Sequence, residues 1–133
     1  MYKILVSVIL CGFFYPTQGQ NIIGSTEGAE LSYIEEEYEL IYKTRENDLA
    51  SLYMQEEELK VLKSYIFRLF KEKEENDVLL QFLNDSVWLV YKDNTITLTR
   101  WVGHDSDNRQ TSLGFSQTHY LKIFGLSRDK KTF

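Results

Sequence analysis

Leu79-Leu80-Gln81-Phe82-Leu83-Asn84-Asp85-Ser86-Val87-Trp88-Leu89-Val90-Tyr91-Lys92-Asp93 forms, with Val78 before it, the most apolar segment beyond the N-terminal apolar run. Its reading decides the fold. Read as a helix, it places Trp88 and Tyr91, three residues apart, on one face, with Trp88 as the largest core anchor. The residues that follow, Asn94-Thr95-Ile96-Thr97-Leu98-Thr99, set β-branched side chains at alternating positions, as strands do. A lone strand leaves both of its edges unpaired. With no second strand-like run recognised, the helix is expected to continue to about Val102. In that setting Trp88→Ala is expected to cost on the order of 3–5 kcal/mol.

Working upstream, Leu59, Leu62, Tyr65, Ile66, Leu69 and Phe70 recur at helical spacing. So do Tyr33, Ile34, Tyr38, Ile41, Tyr42, Leu49, Leu52 and Tyr53, with Glu35, Glu36, Glu37 and Glu39 on the opposite face. Gly and Pro are both absent between Glu30 and Arg100, which favours helices with tight connections. The run Lys71-Glu72-Lys73-Glu74-Glu75-Asn76-Asp77 has no apolar side chain. It reads as a break, with Asn76 or Asp77 capping the next helix, or as an exposed turn of one continuous helix. Downstream, residues 103–113 are polar and read as a loop, residues 115–124 as a short last helix closed by Gly125, and residues 129–133 as a solvated tail. The expected fold is all-α: a small antiparallel bundle of three to four helices, the first one long. It occupies residues 31–128, behind a flexible lead-in at residues 20–30.

Residues 1–19 have the pattern of a secretory signal. Lys3 is a short basic region, residues 4–15 an apolar run, and Pro16, Thr17 and Gly19 a cleavage region. An uncleaved N-terminal anchor is the other reading. The expected location is secreted or periplasmic, with no stable membrane insertion once the signal is cleaved. The single Cys, Cys11, lies inside this segment, so a processed chain has neither disulfides nor thiol chemistry.

Charge narrows the class of partner. The formal net charge of −5 argues against nucleic acid. Loss of Lys3 with the signal takes it to −6, since residues 1–19 carry no acid. Between Glu27 and Asp77 there are 15 acids against 7 bases. That excess is either an ordinary solvated face or a surface that steers a cationic partner.

No reaction is legible. His104 and His119 do not form a paired metal motif. Asp105-Ser106-Asp107-Asn108 resembles the start of a calcium loop, without the Gly and Glu that would complete the cage. Asn84-Asp85-Ser86 matches a glycosylation sequon within an expected helix and is read as chance. No convergent acid, base and nucleophile can be named, so the chain is read as a non-enzyme with no cofactor.

The segment containing Trp88, Tyr91, Lys92 and Asp93 resembles the signature helix of the LprI-type lysozyme-inhibitor domain family, in which a Trp is followed by an aromatic and a basic-acidic pair. Glu58, Val61-Leu62 and Tyr65 upstream, and Phe124-Gly125-Leu126-Ser127-Arg128 downstream, occupy places comparable to further family elements. The chain departs from the family at Asp85, where Gln is usual, at Leu62, where Asn is usual, and in lacking paired Cys. The resemblance implies an exported all-helical domain of a class associated with binding lysozyme, and the negative charge fits a cationic enzyme of that kind. Lys92 and, in the polar loop, His104, Asp105 and Asp107 are the partner-binding candidates. The alternative is a structural or chaperone-like envelope protein that self-associates through its N-terminal helix.

Overall fold

The computed structural model describes residues 20–126. The element order repeats itself: four strands and a helix, then four strands and a helix. The first sheet is an antiparallel meander of β1 (Gln20–Thr26), β2 (Ala29–Ile34), β3 (Glu37–Lys43) and β4 (Leu49–Met54). Helix α1 (Glu56–Glu72) follows. The second meander comprises β5 (Asn76–Gln81), β6 (Ser86–Lys92), β7 (Thr95–Trp101) and β8 (Arg109–Thr111), and α2 (Gln117–Ile123) closes the described chain.

Strand alternation selects one face of each sheet for the core. In the first sheet, Leu31, Leu40 and Leu52 stand in one cross-strand row and Ala29, Tyr42 and Ala50 in the next, and all six are buried. In the second sheet, Val87, Leu89, Tyr91, Ile96 and Leu98 point inward. The apolar stripe of α1, namely Leu59, Leu62, Ile66, Leu69 and Phe70, joins both sets in a single core. Each such aliphatic side chain stabilises the fold by roughly 1.5–3 kcal/mol when fully buried. Tyr120 and Phe124 of the α2 segment complete an aromatic cluster, with Phe70 set edge-on to Tyr91 at 5.7 Å and tilted against Tyr120 at 6.0 Å. The hydroxyl of Tyr120 donates to the Ile96 carbonyl, which satisfies the one polar atom that ring carries into the core.

Two short-range devices fix the ends of these elements. Glu58 accepts the backbone N–H of Gln55 at 2.9 Å and that of Leu83 at 2.7 Å, tying the start of α1 to the turn after β5. Where the end of α2 passes β1, only glycine fits. A Cβ on Gly24 would lie 2.1 Å from the Lys122 carbonyl oxygen.

The all-α expectation is overturned. The first long helix, the basis for self-association, does not exist. Residues 31–54 run through β2, β3 and β4, and the helical stripe proposed there mixes inward Tyr42 and Leu52 with outward Ile41 and Tyr53. The decisive segment is also strand. It forms β5, a turn and β6, with β7 after it. The lone-strand objection failed because Thr95–Trp101 has partners on both sides. Among the described residues, α-helix is confined to α1, ending where Lys73 takes a left-handed conformation, and to α2. The polar loop is interrupted by β8. Trp88, Tyr91, Lys92 and Asp93, the residues that carry the family resemblance, stand on β6 and its turn, so the helical setting implied by the resemblance is absent. The leader expected at residues 1–19 and the solvated tail expected at residues 129–133 lie outside the described residues. No described helix is long and apolar enough to cross a membrane.

Candidate functional site

The outward face of the second sheet carries a diagonal stripe across four strands: Asp77 on β5, Trp88 on β6, Trp101 on β7 and Arg109 on β8. Register places them there. Trp88 pairs with Leu79 and Thr99, and Trp101 pairs with Ser86 and Arg109. The two indoles are 6.4 Å apart, inclined at 57°. The Arg109 guanidinium lies 5.7 Å from each ring centroid, a cation–π arrangement worth about 0.5–1 kcal/mol per exposed contact. Its Nε donates to the Ser106 carbonyl at 2.8 Å, which anchors the side chain to the loop before β8. At the other end of the stripe the Trp88 indole N–H donates to the Asp77 carboxylate at 2.8 Å. The indole N–H of Trp101 is buried and has no acceptor.

Thr99, in the middle of this face, is only 2% exposed. Trp88 across the ladder and Trp101 two residues along flank it, and its hydroxyl donates to Thr111 Oγ1 at 3.1 Å. Leu79, directly opposite Trp88, remains 42% exposed. The buried residues of α1 pack into the core on the other side, so this apolar face has no covering element among the described residues.

The polar loop borders the stripe. The β7–β8 connection begins with a 3-10 turn, Val102–His104, that lays His104 over the end of β6. His104 Nδ1 is 2.8 Å from Ser86 Oγ, and its Nε2 is 3.3 Å from the Leu83 carbonyl. Ser86 is buried, so this Ser–His pair packs the loop down and presents no accessible hydroxyl. Asp105 accepts the Asp107 backbone N–H at 2.9 Å, so the acid pair shapes the loop. No group of three His, Cys, Asp or Glu among the described residues is placed to hold a metal ion.

Beneath the loop, Asp85 and Arg100 form a largely buried ion pair at 3.0 Å. The Gly103 N–H donates to Asp85 at 2.9 Å, and Arg100 also donates to the Gln110 side chain at 3.1 Å. The Tyr42 hydroxyl donates to the Gln110 carbonyl at 2.8 Å, and burial holds its phenol far above the usual range. This network fixes the loop from which Arg109 emerges.

The predicted residues therefore divide. Trp88, His104, Asp105 and Asp107 gather at or beside the stripe. Tyr91 turns inward, 4% exposed, with its hydroxyl donating to Asn94 at 3.2 Å, which corrects its expected shared face with Trp88. Lys92 and Asp93 lie at the far end of β6, six and seven residues along from Ser86. Lys92 is thus roughly 20 Å from the loop and does not join His104. Asn84 lies in the exposed turn between β5 and β6, not in a helix. Sequence reasoning missed Trp101, Arg109 and Asp77. The second tryptophan was the available signal. No protein-family model matches the chain, and neither the curated proteins nor the solved structures contain a match to it.

Proposed function

We propose that this chain is an exported, non-catalytic binding protein that grips a protein partner through the outward face of its second sheet. The observation that carries this reading is the Arg109 guanidinium set over both Trp88 and Trp101 on the outward face of the sheet. Tryptophan and arginine supply much of the energy at protein interfaces, where an apolar centre ringed by polar groups excludes water. Here Trp88, Trp101 and Leu79 supply the centre, and Asp77, Arg109 and the loop carrying Asp105 and Asp107 supply the rim. The N-terminal sequence supports export. The acid excess supports a cationic partner, and a lysozyme-like, wall-degrading enzyme is the partner class we propose. The support is the charge balance and the face, not the helix of the resembling family.

Calorimetric titration with a lysozyme, in parallel with an assay of cell-wall lysis, tests this. Saturable binding that slows lysis is expected. A Trp88→Ala/Trp101→Ala variant with unchanged circular dichroism should lose both. Absence of binding to the unaltered protein removes lysozyme as the partner class. Binding that survives the double substitution removes the face.

A further inference from the structure

Strand β5 is an edge of the second sheet and pairs with β6. Phe82 N–H donates to the Asp85 carbonyl at 2.9 Å. Backbone groups alternate along an antiparallel pair, so Leu80, opposite Val87, and Val78, opposite Leu89, turn theirs toward β6. The N–H and C=O groups of Leu79 and Gln81 therefore point away from the sheet. Asp77 obeys the same alternation, and the Asn76 side chain takes its outward N–H at 2.9 Å. No other described element bonds the backbone of Leu79 or Gln81. Sheets blunt an open edge with a charge, a proline or a bulge. Between Val78 and Phe82 this edge has none of the three, and its register with β6 is unbroken.

A groove runs beside the edge. Val61 and Tyr65 of α1 form one wall and Leu79, Leu80 and Phe82 the other, around a pocket of about 340 Å³. Val61 and Leu79 are exposed. Helix and strand run in opposite directions, since Glu58 at the start of α1 holds the Leu83 N–H just past the end of β5. Glu57 also lines the groove, at the start of α1. Further along α1, the Arg68 guanidinium lies 4.8 Å from the Tyr65 ring. The helical wall thus carries negative charge at one end and positive charge toward the other.

We infer that β5 pairs with β5 of a second copy of this chain, antiparallel, about a twofold axis perpendicular to the sheet at Leu80. Leu79 of each copy then bonds Gln81 of the other, and two four-stranded sheets continue as one of eight strands. A closed twofold dimer needs a self-complementary patch. The open edge is one, because a strand can add to its own copy by antiparallel pairing. The groove is another: the reversal brings the Glu57 end of one α1 toward the Arg68 end of the other, and it covers Val61 and Tyr65. The axis keeps both outward faces on one side, so the dimer displays two tryptophan stripes together. Bivalent grip on a partner is the consequence; that consequence rests on the proposed function, and the pairing does not.

Sedimentation velocity over a concentration series, with amide hydrogen exchange on the same samples, tests the pairing. A monomer–dimer equilibrium is expected, with the Leu79 and Gln81 amides free to exchange when dilute and protected when concentrated. Gln81→Pro removes an outward N–H that the fold does not use, and Val61→Glu sets a carboxylate in the groove. Each should weaken dimerisation about tenfold or more with circular dichroism unchanged. Trp88→Ala/Trp101→Ala should leave the dimer intact whatever it does to partner binding, which separates this inference from the proposed function. A monomer at every concentration overturns the inference. So does a dimer that survives both Gln81→Pro and Val61→Glu, one that the tryptophan substitutions abolish, or one whose Leu79 and Gln81 amides still exchange freely. Protection of those amides that appears only when a lysozyme is added to a monomer overturns it in favour of a partner's strand.

Discussion

Trp88 and Leu89 are neighbours in the chain and face opposite ways on β6, so their truncations should separate. Leu89 is fully buried, and Leu89→Ala should cost about 2–5 kcal/mol. Trp88 is half-buried on the outward face, and Trp88→Ala should cost about 1 kcal/mol, well below the loss expected of a helical core anchor. Urea midpoints of the two variants check the order. The Asp85–Arg100 pair is the other sensitive point. Removing one partner leaves a charge without its counterion, so Arg100→Ala should cost on the order of 3 kcal/mol, with β8 and the loop before it the first to lose amide protection. The sequence singled out Trp88 but not which way it points. Aromatic residues anchor helical cores and strand faces alike, and the three-residue step from Trp88 to Tyr91 means the same face on a helix but opposite faces on a strand.

Among the elements, α1 was legible and the strands were not, for a physical reason. The stripe of α1 repeats at helical spacing against a polar remainder. On β6, the outward positions Trp88 and Val90 are apolar too, which erases the alternation expected of a half-buried strand. The turns were also concealed. Glu35-Glu36 joins β2 to β3 with both residues in the left-handed region, at φ of 48° and 71°, where Asn and Gly are the usual residues. Asp93-Asn94, at φ of 54° and 65°, joins β6 to β7 in the same way. That dipeptide between two apolar runs was a readable hairpin signal. Two substitutions test these assignments. Both Asn94→Gly and Asn94→Val remove the acceptor of the Tyr91 hydroxyl, but Asn94→Val should be the less stable by about 1–2 kcal/mol, because glycine accepts positive φ and a β-branched residue resists it. Gly24→Ala should undock α2 from β1, seen as accelerated amide exchange over residues 117–125, since the new methyl meets the Lys122 carbonyl.

Across the whole molecule, a row of glutamates and a row of tryptophans stand on the outward faces of two different sheets around one core. The charge imbalance was visible in the chain, but that Glu30, Glu37 and Glu39 share one side was not, because register decides which glutamates do so. One consequence is a pH dependence with a definite sign. Glu30 holds its proton more tightly in the folded state than in the unfolded chain. Its contribution to stability is therefore complete below the unfolded pKa and is lost as pH rises through the raised, folded value. Glu30→Gln should match the unaltered protein in acid and exceed its urea midpoint at neutral pH.

Acrylamide quenching of intrinsic fluorescence probes the tryptophan face most directly, because Trp88 and Trp101 are the two tryptophans of the chain. With both indoles on the outward face of a sheet, the native protein should show a quenching slope well above that of a core indole. Iodide should quench less effectively once Arg109→Gln removes the positive charge beside the rings. Blue-shifted emission that acrylamide barely reaches, unchanged by Arg109→Gln, would place both rings in the core and contradict the account.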